Sequence, residues 1–177
     1  MRKIIIVGCG GSGKSTLARK LGEMTKIPVF HLDALYWKPG WVPTPREEWH
    51  ARQKVLVNQD QWIIDGNYGG TIDIRMAEAD TIIFLDLPRW IAMYRVLKRR
   101  LQYHHKARPD MNAGCPEKLD WEFIGWVWRY NKDIRPGILQ KLKTVIDEKT
   151  TIILRTPNEV RRFVAQVRVN ADIDQAR

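Results

Sequence analysis

The sequence predicts an α/β fold built on a parallel sheet with helices on both faces. Three observations carry this. Short apolar runs, Ile4-Ile5-Ile6-Val7 first among them, alternate along the chain with stretches of helical spacing. The expected C-terminal ends of those runs carry Gly8, Asp33, Asp65, Asp86 and Arg155, on the edge where such a sheet places its site. Directly after the first run comes Gly8-Cys9-Gly10-Gly11-Ser12-Gly13-Lys14-Ser15, which fits G-x-x-x-x-G-K-[ST] at every fixed position.

The first run reads as a buried strand, and residues 14–24 as a helix with Leu17, Ala18 and Leu21 on one face. A strand turning through glycines into a helix leaves several backbone N–H groups in one concavity, suited to a polyphosphate. Glycine is needed there because a Cβ would obstruct the loop's dihedrals and the approach of phosphate oxygens. Lys14 is expected to reach the β- and γ-phosphates and the Ser15 hydroxyl to help hold Mg²⁺. The alternative, a plain glycine-rich turn with an exposed lysine, does not account for the strand and helix on either side. A nucleoside triphosphate is the expected ligand.

Residues 28–32 read as a second strand ending at Asp33, and residues 36–43 as a loop broken by Pro39, Gly40 and Pro43. Thr44 or Pro45 opens a helix carrying Trp49, Val55 and Leu56, with Glu47 and Glu48 in its first turn. Trp62-Ile63-Ile64 is a third strand ending at Asp65, and residues 81–85 a fourth ending at Asp86. Pro88 begins a helix with Ile91, Tyr94, Leu97 and Leu101 at helical spacing. Residues 104–116 lack periodicity and read as a loop or lid. A tryptophan-rich helix follows over about 119–134, and Pro136 kinks or restarts it. Residues 151–154 form the fifth strand, a last helix spans about 158–169, and 171–177 are expected as a frayed tail.

At 177 residues, the chain is expected to form a single domain over 1–170. The absence of a membrane-length apolar run, of a signal-peptide pattern and of a disulfide framework (Cys9 and Cys115 are the only cysteines) points to the cytoplasm. The net charge of +10 has two readings, a nucleic-acid footprint or arginines gathered around phosphates.

Asp65 and Asp86 are the candidates for the carboxylate behind Mg²⁺, reached through water. Asp65 is favoured because it precedes Gly66 and Asn67, whereas Asp86 reads better as a helix cap. Asp33 is a candidate to accept a substrate hydroxyl proton, with a structural cap as the even alternative. His31 reads as structural. Arg95, Lys98, Arg99 and Arg100 on one side of the 104–116 segment, and Arg129, Lys132 and Arg135 on the other, suit closure over transferring phosphates. Of the eight tryptophans most should fill the core, and one or two of Trp37, Trp41 and Trp49 are placed to stack on a planar substrate.

His-Leu-Asp at 31–33, Asp-Gly-Asn-Tyr at 65–68, Arg108-Pro109-Asp110 and Gly114-Cys115-Pro116-Glu117 go with the phosphate loop to complete a pattern over residues 2–165. It resembles the small P-loop nucleoside monophosphate kinases, and within them the adenylate-kinase-related DNA topology modulation proteins. The resemblance implies a three-layer α/β/α fold with a five-stranded parallel sheet in order 2-3-1-4-5. An acceptor-binding segment near 33–65 and a lid near 100–118 go with it. By position, Gly8 and Gly10, Gly11, Ser12, Gly13, Lys14, Ser15 and Thr16 would bind phosphate, and Asp65 would lie near Mg²⁺. Arg95, Arg99, Arg129 and Arg135 would be lid or phosphate arginines, and Arg155, Thr156 and Pro157 would border adenine. Adenylate kinases have Asp-Gly-Phe-Pro-Arg where this chain has Asp-Gly-Asn-Tyr-Gly, so the acceptor-gripping arginine is missing, with Arg75 as a substitute. The leading expectation is an ATP- and Mg²⁺-dependent kinase with a small-molecule acceptor, nucleoside monophosphates among the candidates. The alternatives are an ATP-binding, nucleic-acid-associated regulator and an ATP hydrolase with no acceptor. No helix-turn-helix, zinc-finger or RNA-binding signature supports the regulator.

Overall fold

Ile4, Ile5, Ile6 and Val7 are at most 1% exposed, as a strand without polar alternation must be when both faces of its sheet are covered. They lie in β1 (Lys3–Gly8), the middle strand of five in the computed structural model. The model describes residues 1–104, 110–112, 114–116 and 121–175, the side chains of 172, 174 and 175 excepted. β1 pairs in parallel with β5 (Trp62–Asp65) and β6 (Thr81–Leu85). β2 (Val29–His31) lies beyond β5 and β7 (Thr150–Leu154) beyond β6. The order β2-β5-β1-β6-β7 is the expected 2-3-1-4-5 when only the sheet's own strands are counted.

Alternate residues of each strand feed two separate cores. Ile4, Ile6, Ile63, Ile83 and Leu85 meet Leu17 and Leu21 of α1 (Lys14–Thr25) and Phe163 and Val167 of α8 (Pro157–Gln175). Ile5, Val7, Ile64, Ile82 and Phe84 face the other way. They are covered by α3 (Arg46–Val57), α4 (Ile72–Glu78), α5 (Arg89–Gln102), α6 (Trp121–Asp133) and α7 (Arg135–Val145). Each such side chain contributes roughly 1.5–3 kcal/mol on burial. A one-residue slip would exchange the two faces, so the register that aligns the strand ends is firmly held.

Several elements differ from expectation. The second strand stops at His31, and Asp33 lies in the short helix α2 (Leu32–Tyr36), where its carboxylate suits the first turn. Residues 36–43 include a two-stranded antiparallel ribbon, β3 (Trp37–Lys38) with β4 (Val42–Pro43). Pro43 is tolerated because it sits on an edge strand. α4 has no counterpart in the sequence reading. The last helix begins at Pro157 and continues to Gln175, so residues 171–175 of the expected tail are helical. Asp86 makes no cap: α5 starts after Pro88 without a side-chain cap, and the Asp86 carboxylate is instead gripped by Arg135, from Nε at 2.7 Å and Nη2 at 2.8 Å. Pro136 does restart the helix, standing in the first turn of α7. Both cysteines are free and buried. Among the described residues no helix is long and apolar enough to cross a membrane.

Of the expected lid, residues 105–109, 113 and 117–118 lie outside the described ones, Arg108, Pro109 and Glu117 among them. The described pieces are tied to residues 34–41. Asn112 donates to the Ala34 and Trp37 carbonyls, the Gly40 N–H to Gly114 O, and the Trp41 indole to Pro116 O.

Arg75 is fully buried. Its Nη1 donates to Gln53 Oε1 and Thr71 Oγ1 at 2.9 and 2.8 Å, and its Nη2 to the Asn67 carbonyl at 2.6 Å. Burial pulls its pKa down to about 10. The Arg75→Met variant should therefore lose about 3 kcal/mol of unfolding free energy, because Gln53 Oε1, Thr71 Oγ1 and the half-buried Asn67 carbonyl each lose a charged donor at about 1 kcal/mol. A lowered urea midpoint at unchanged slope would show it.

Candidate nucleotide and acceptor site

The phosphate loop bridges β1 and α1, and its glycines are required on the protein side as well as the ligand side. Gly11 has φ +80°, and a Cβ there would stand 2.4 Å from the Ala92 carbonyl oxygen of α5. A Cβ on Gly10 would stand 2.6 Å from the Phe123 ring of α6. The loop is thus clasped by the two helices that carry the candidate arginines. Gly13 (φ +97°) is the N-cap of α1 and offers no side-chain cap. The first-turn N–H groups have no acceptor within their own helix and present the positive end of its dipole.

Lys14 Nζ donates to the Gly8 and Cys9 carbonyls, each at 3.0 Å. Burial pulls its pKa down, against the opposing pull of Asp33 and Asp65. Burial pushes the neighbouring Cys9 thiol up to about 11, so it is no nucleophile at neutral pH. Ser15 Oγ donates to Asp65 Oδ2 at 2.8 Å, and Asp65 Oδ1 lies 2.5 Å from His31 Nδ1. Burial works against a charged His31, but the hydrogen bond and charge of Asp65 outweigh it and leave its pKa above the ordinary value. His31 is structural in that it fixes Asp65. The adjacent hard oxygens of Ser15 and Asp65 are a donor set that suits Mg²⁺, which takes few protein ligands and retains water. The Ser12 hydroxyl, buried without a hydrogen-bond partner among the described residues, adds a spare polar atom to the loop.

Asn67 and Tyr68, to which the sequence alone assigned no individual role, hold this geometry. The Asn67 carboxamide pairs with both sides of the Gly8 residue, accepting from its N–H at 3.0 Å and donating to its carbonyl at 2.8 Å. Tyr68 donates its hydroxyl to Asp33 Oδ1 at 2.8 Å, and burial followed by the Asp33 charge pushes that phenol's pKa far up. Tyr68 itself has φ +37°, a strained value for a non-glycine residue. Its ring is braced by Tyr36 and Trp49, with centroids 4.8 and 5.0 Å away. The Asp-Gly-Asn-Tyr sequence after a strand was the available signal, since an amide side chain there can extend the pairing of two neighbouring strands.

A cavity of about 1380 Å³ opens over the loop. Gly10, Gly11, Gly13, Lys14, Ser15 and Thr16 line one end, with Arg95, Arg99 and Arg129 from α5 and α6. Asp65 and Asp33 continue the wall toward Trp37, Trp41 and Tyr68. Arg95 Nη1 also donates to the Ser12 carbonyl at 2.8 Å, so it braces the loop. Gly8 and Ser12 form the loop's foundation rather than its lining. Arg135 is not in the wall, because both arms of its guanidinium are engaged by Asp86. Arg155, Thr156 and Pro157 are not in the wall either. Thr156 Oγ1 accepts the Glu159 N–H and Glu159 accepts the Arg155 N–H, which caps α8. Arg75, the substitute for a missing acceptor arginine, is committed to the core. Trp49 is buried, whereas Trp37 and Trp41 reach the cavity.

A phosphate loop on a 2-3-1-4-5 sheet, opening into a cavity ringed by helix-borne arginines, gives the chain the fold of the P-loop kinases. Two solved structures match it on that level. A shikimate kinase from Acinetobacter baumannii in complex with shikimate has a TM-score of 0.55 at 13% identity, over 94% of this chain and 90% of that one. A gluconokinase from Sinorhizobium meliloti has a TM-score of 0.50 at 14% identity, over 98% and 97%. In sequence, the chain is 31% identical to the uncharacterized protein YqaC of Bacillus subtilis over 136 residues, 73% of each chain, and it belongs to that protein's family. It is also 28% identical over 134 residues to a shikimate kinase of Leptospira biflexa, covering 63% of this chain and 73% of that protein. No family model matches the chain.

The Asn67 pairing makes a specific prediction. Asn67→Ala takes the acceptor from the Gly8 N–H and leaves Lys14 as the side-chain donor to the Gly8 carbonyl, and should weaken nucleotide binding about tenfold in calorimetric titration with ATP, with about 1–2 kcal/mol lost in stability. Unchanged affinity would show that the loop holds its shape without Asn67.

Proposed function

We propose that the chain is an ATP- and Mg²⁺-dependent phosphotransferase that moves the γ-phosphoryl group of ATP to a hydroxyl of a small-molecule acceptor. The observation that carries this is that one cavity joins the loop at Lys14 and Ser15 to the carboxylate of Asp33. A pure ATP hydrolase has no use for an aromatic-walled extension of that size.

The phosphates are taken to lie against the first turn of α1, with Lys14 leaving the Gly8 and Cys9 carbonyls for the β- and γ-phosphate oxygens. Mg²⁺, when bound, would be held by Ser15 and through water by Asp65, and supplies charge neutralisation across those oxygens. Arg95, Arg99 and Arg129 ring the loop and compensate charge that develops on transfer. Asp33, oriented by Tyr68, receives the acceptor's hydroxyl proton as its oxygen attacks phosphorus. Shikimate kinases among the relatives and neighbours favour a hydroxylated metabolite over a nucleic acid. The placement of five cations inside one cavity, Lys14 and Arg19 of α1 with the three arginines, also fits charge serving phosphates rather than a DNA-binding stripe.

The test is transfer of radiolabelled γ-phosphate from ATP to a panel of nucleoside monophosphates, nucleosides and hydroxylated metabolites. Lys14→Ala should lower transfer at least about 100-fold, the scale of losing one transition-state charge contact. Transfer that survives this change would rule out the proposed mechanism. A steep log-linear fall of DNA binding with salt, together with DNA-dependent ATP turnover and no acceptor, would favour the regulator instead.

A further inference from the structure

The acceptor end of the cavity has a sign. Residues 33–78 form the segment between α2 and the end of α4, and those that reach the cavity are Asp33, Trp37, Trp41, Asp65, Gly66, Asn67 and Tyr68, with no cation among them. The segment's cations are placed elsewhere. Lys38 pairs with Glu48 at 3.0 Å, and Arg52 pairs with Glu48 at 3.1 Å while donating to the Leu35 carbonyl. Arg75 is buried against Gln53, Thr71 and Asn67. Arg46 and Lys54 are exposed on α3, outside the cavity. The cationic wall among the described residues comes from α1, α5 and α6, around the phosphate loop and beside His31.

Among the described residues, what this segment brings to the cavity beyond Asp65, Gly66 and Asn67 is the carboxylate of Asp33 framed by aromatic rings. Asp33 keeps one oxygen on the Tyr68 hydroxyl at 2.8 Å. Trp37 and Trp41 stand edge to face with centroids 5.6 Å apart, and the Trp41 indole is fixed by the Pro116 carbonyl at 3.1 Å. A carboxylate repels an anionic acceptor, and aromatic faces attract a weakly hydrated cation through their quadrupole. Resting on the phosphotransferase reading above, we infer that the acceptor is a hydroxylated cation, an amino or quaternary-ammonium alcohol, recognised by Trp37, Trp41 and Asp33. Its hydroxyl oxygen forms the new bond to the γ-phosphorus. The bond from that phosphorus to the β–γ bridging oxygen breaks, ADP leaves with the electron pair, and the hydroxyl proton passes to Asp33.

The test is a calorimetric titration of the intact protein with choline, with its uncharged isostere dimethylbutanol and with gluconate, at one ionic strength. Choline should bind about tenfold more tightly than the isostere, the scale of a partly desolvated cation–π contact, and gluconate more weakly than either. Trp41→Leu and Asp33→Asn should each erode the choline preference without improving the isostere. Equal binding of choline and isostere, no choline binding in the millimolar range, or tighter binding of gluconate would overturn the inference. Labelled-ATP transfer separates the two levels. Transfer to gluconate or AMP overturns the cationic acceptor and leaves a kinase, whereas failure to bind Mg²⁺ and ATP overturns the kinase reading itself.

Discussion

The site depends on one junction, the hydrogen bonds that fasten the end of β5 to the phosphate loop. Asp65 takes the Ser15 hydroxyl and Asn67 takes both polar groups of Gly8, so two neighbouring strand ends are fixed to each other through four atoms of side chain. The parallel register between β1 and β5 brings these residues level, and the buried isoleucines on both faces hold that register. His31, Arg75 and Tyr68 each act through this junction. His31 orients Asp65, Arg75 holds the Asn67 carbonyl from below, and Tyr68 carries the alignment on to Asp33.

The same junction divides the cavity electrostatically. On one side, α5 and α6 close on the glycines of the loop and bring arginines with them, so the tight packing at Gly10 and Gly11 also positions the cations. On the other side, residues 33–78 commit Lys38, Arg52 and Arg75 to internal ion pairs and hydrogen bonds and leave Arg46 and Lys54 exposed outside the cavity. Within the cavity the lysine and arginines among the described residues are Lys14, Arg19, Arg95, Arg99 and Arg129, all from α1, α5 and α6. A basic composition alone does not separate nucleic-acid binding from arginines gathered around phosphates.

Much of the fold was legible because its signals are local. β-branched runs, the glycine-rich loop and helical spacing define β1, α1, β6 and α7 to within a few residues of their observed bounds. The β3–β4 ribbon was not, because two-residue strands gain their pairing from the tertiary setting and carry no period of their own. Asp86 and Arg135 lie far apart in sequence, so neither a cap reading nor a lid reading had access to the ion pair that claims both. Arg75 shows the same limit. No helix over its neighbours was read from the sequence, and only the fold brings Gln53 and the Asn67 carbonyl to it. Of the candidate site, the loop, Asp65 and Asp33 were readable from their positions after apolar runs. Asn67 and Tyr68 were visible as residues, but their roles required the neighbouring strand and helix.

The central claim is that the two ends of the cavity serve one transfer reaction. The direct measurement supplies the protein with ATP carrying ¹⁸O in its γ-phosphoryl group and a hydroxylated metabolite extract, followed by mass spectrometry of products. The account predicts labelled phosphate on a small-molecule hydroxyl, formed in equal amount with ADP. Label appearing only in inorganic phosphate, or no conversion of ATP at all, would contradict it.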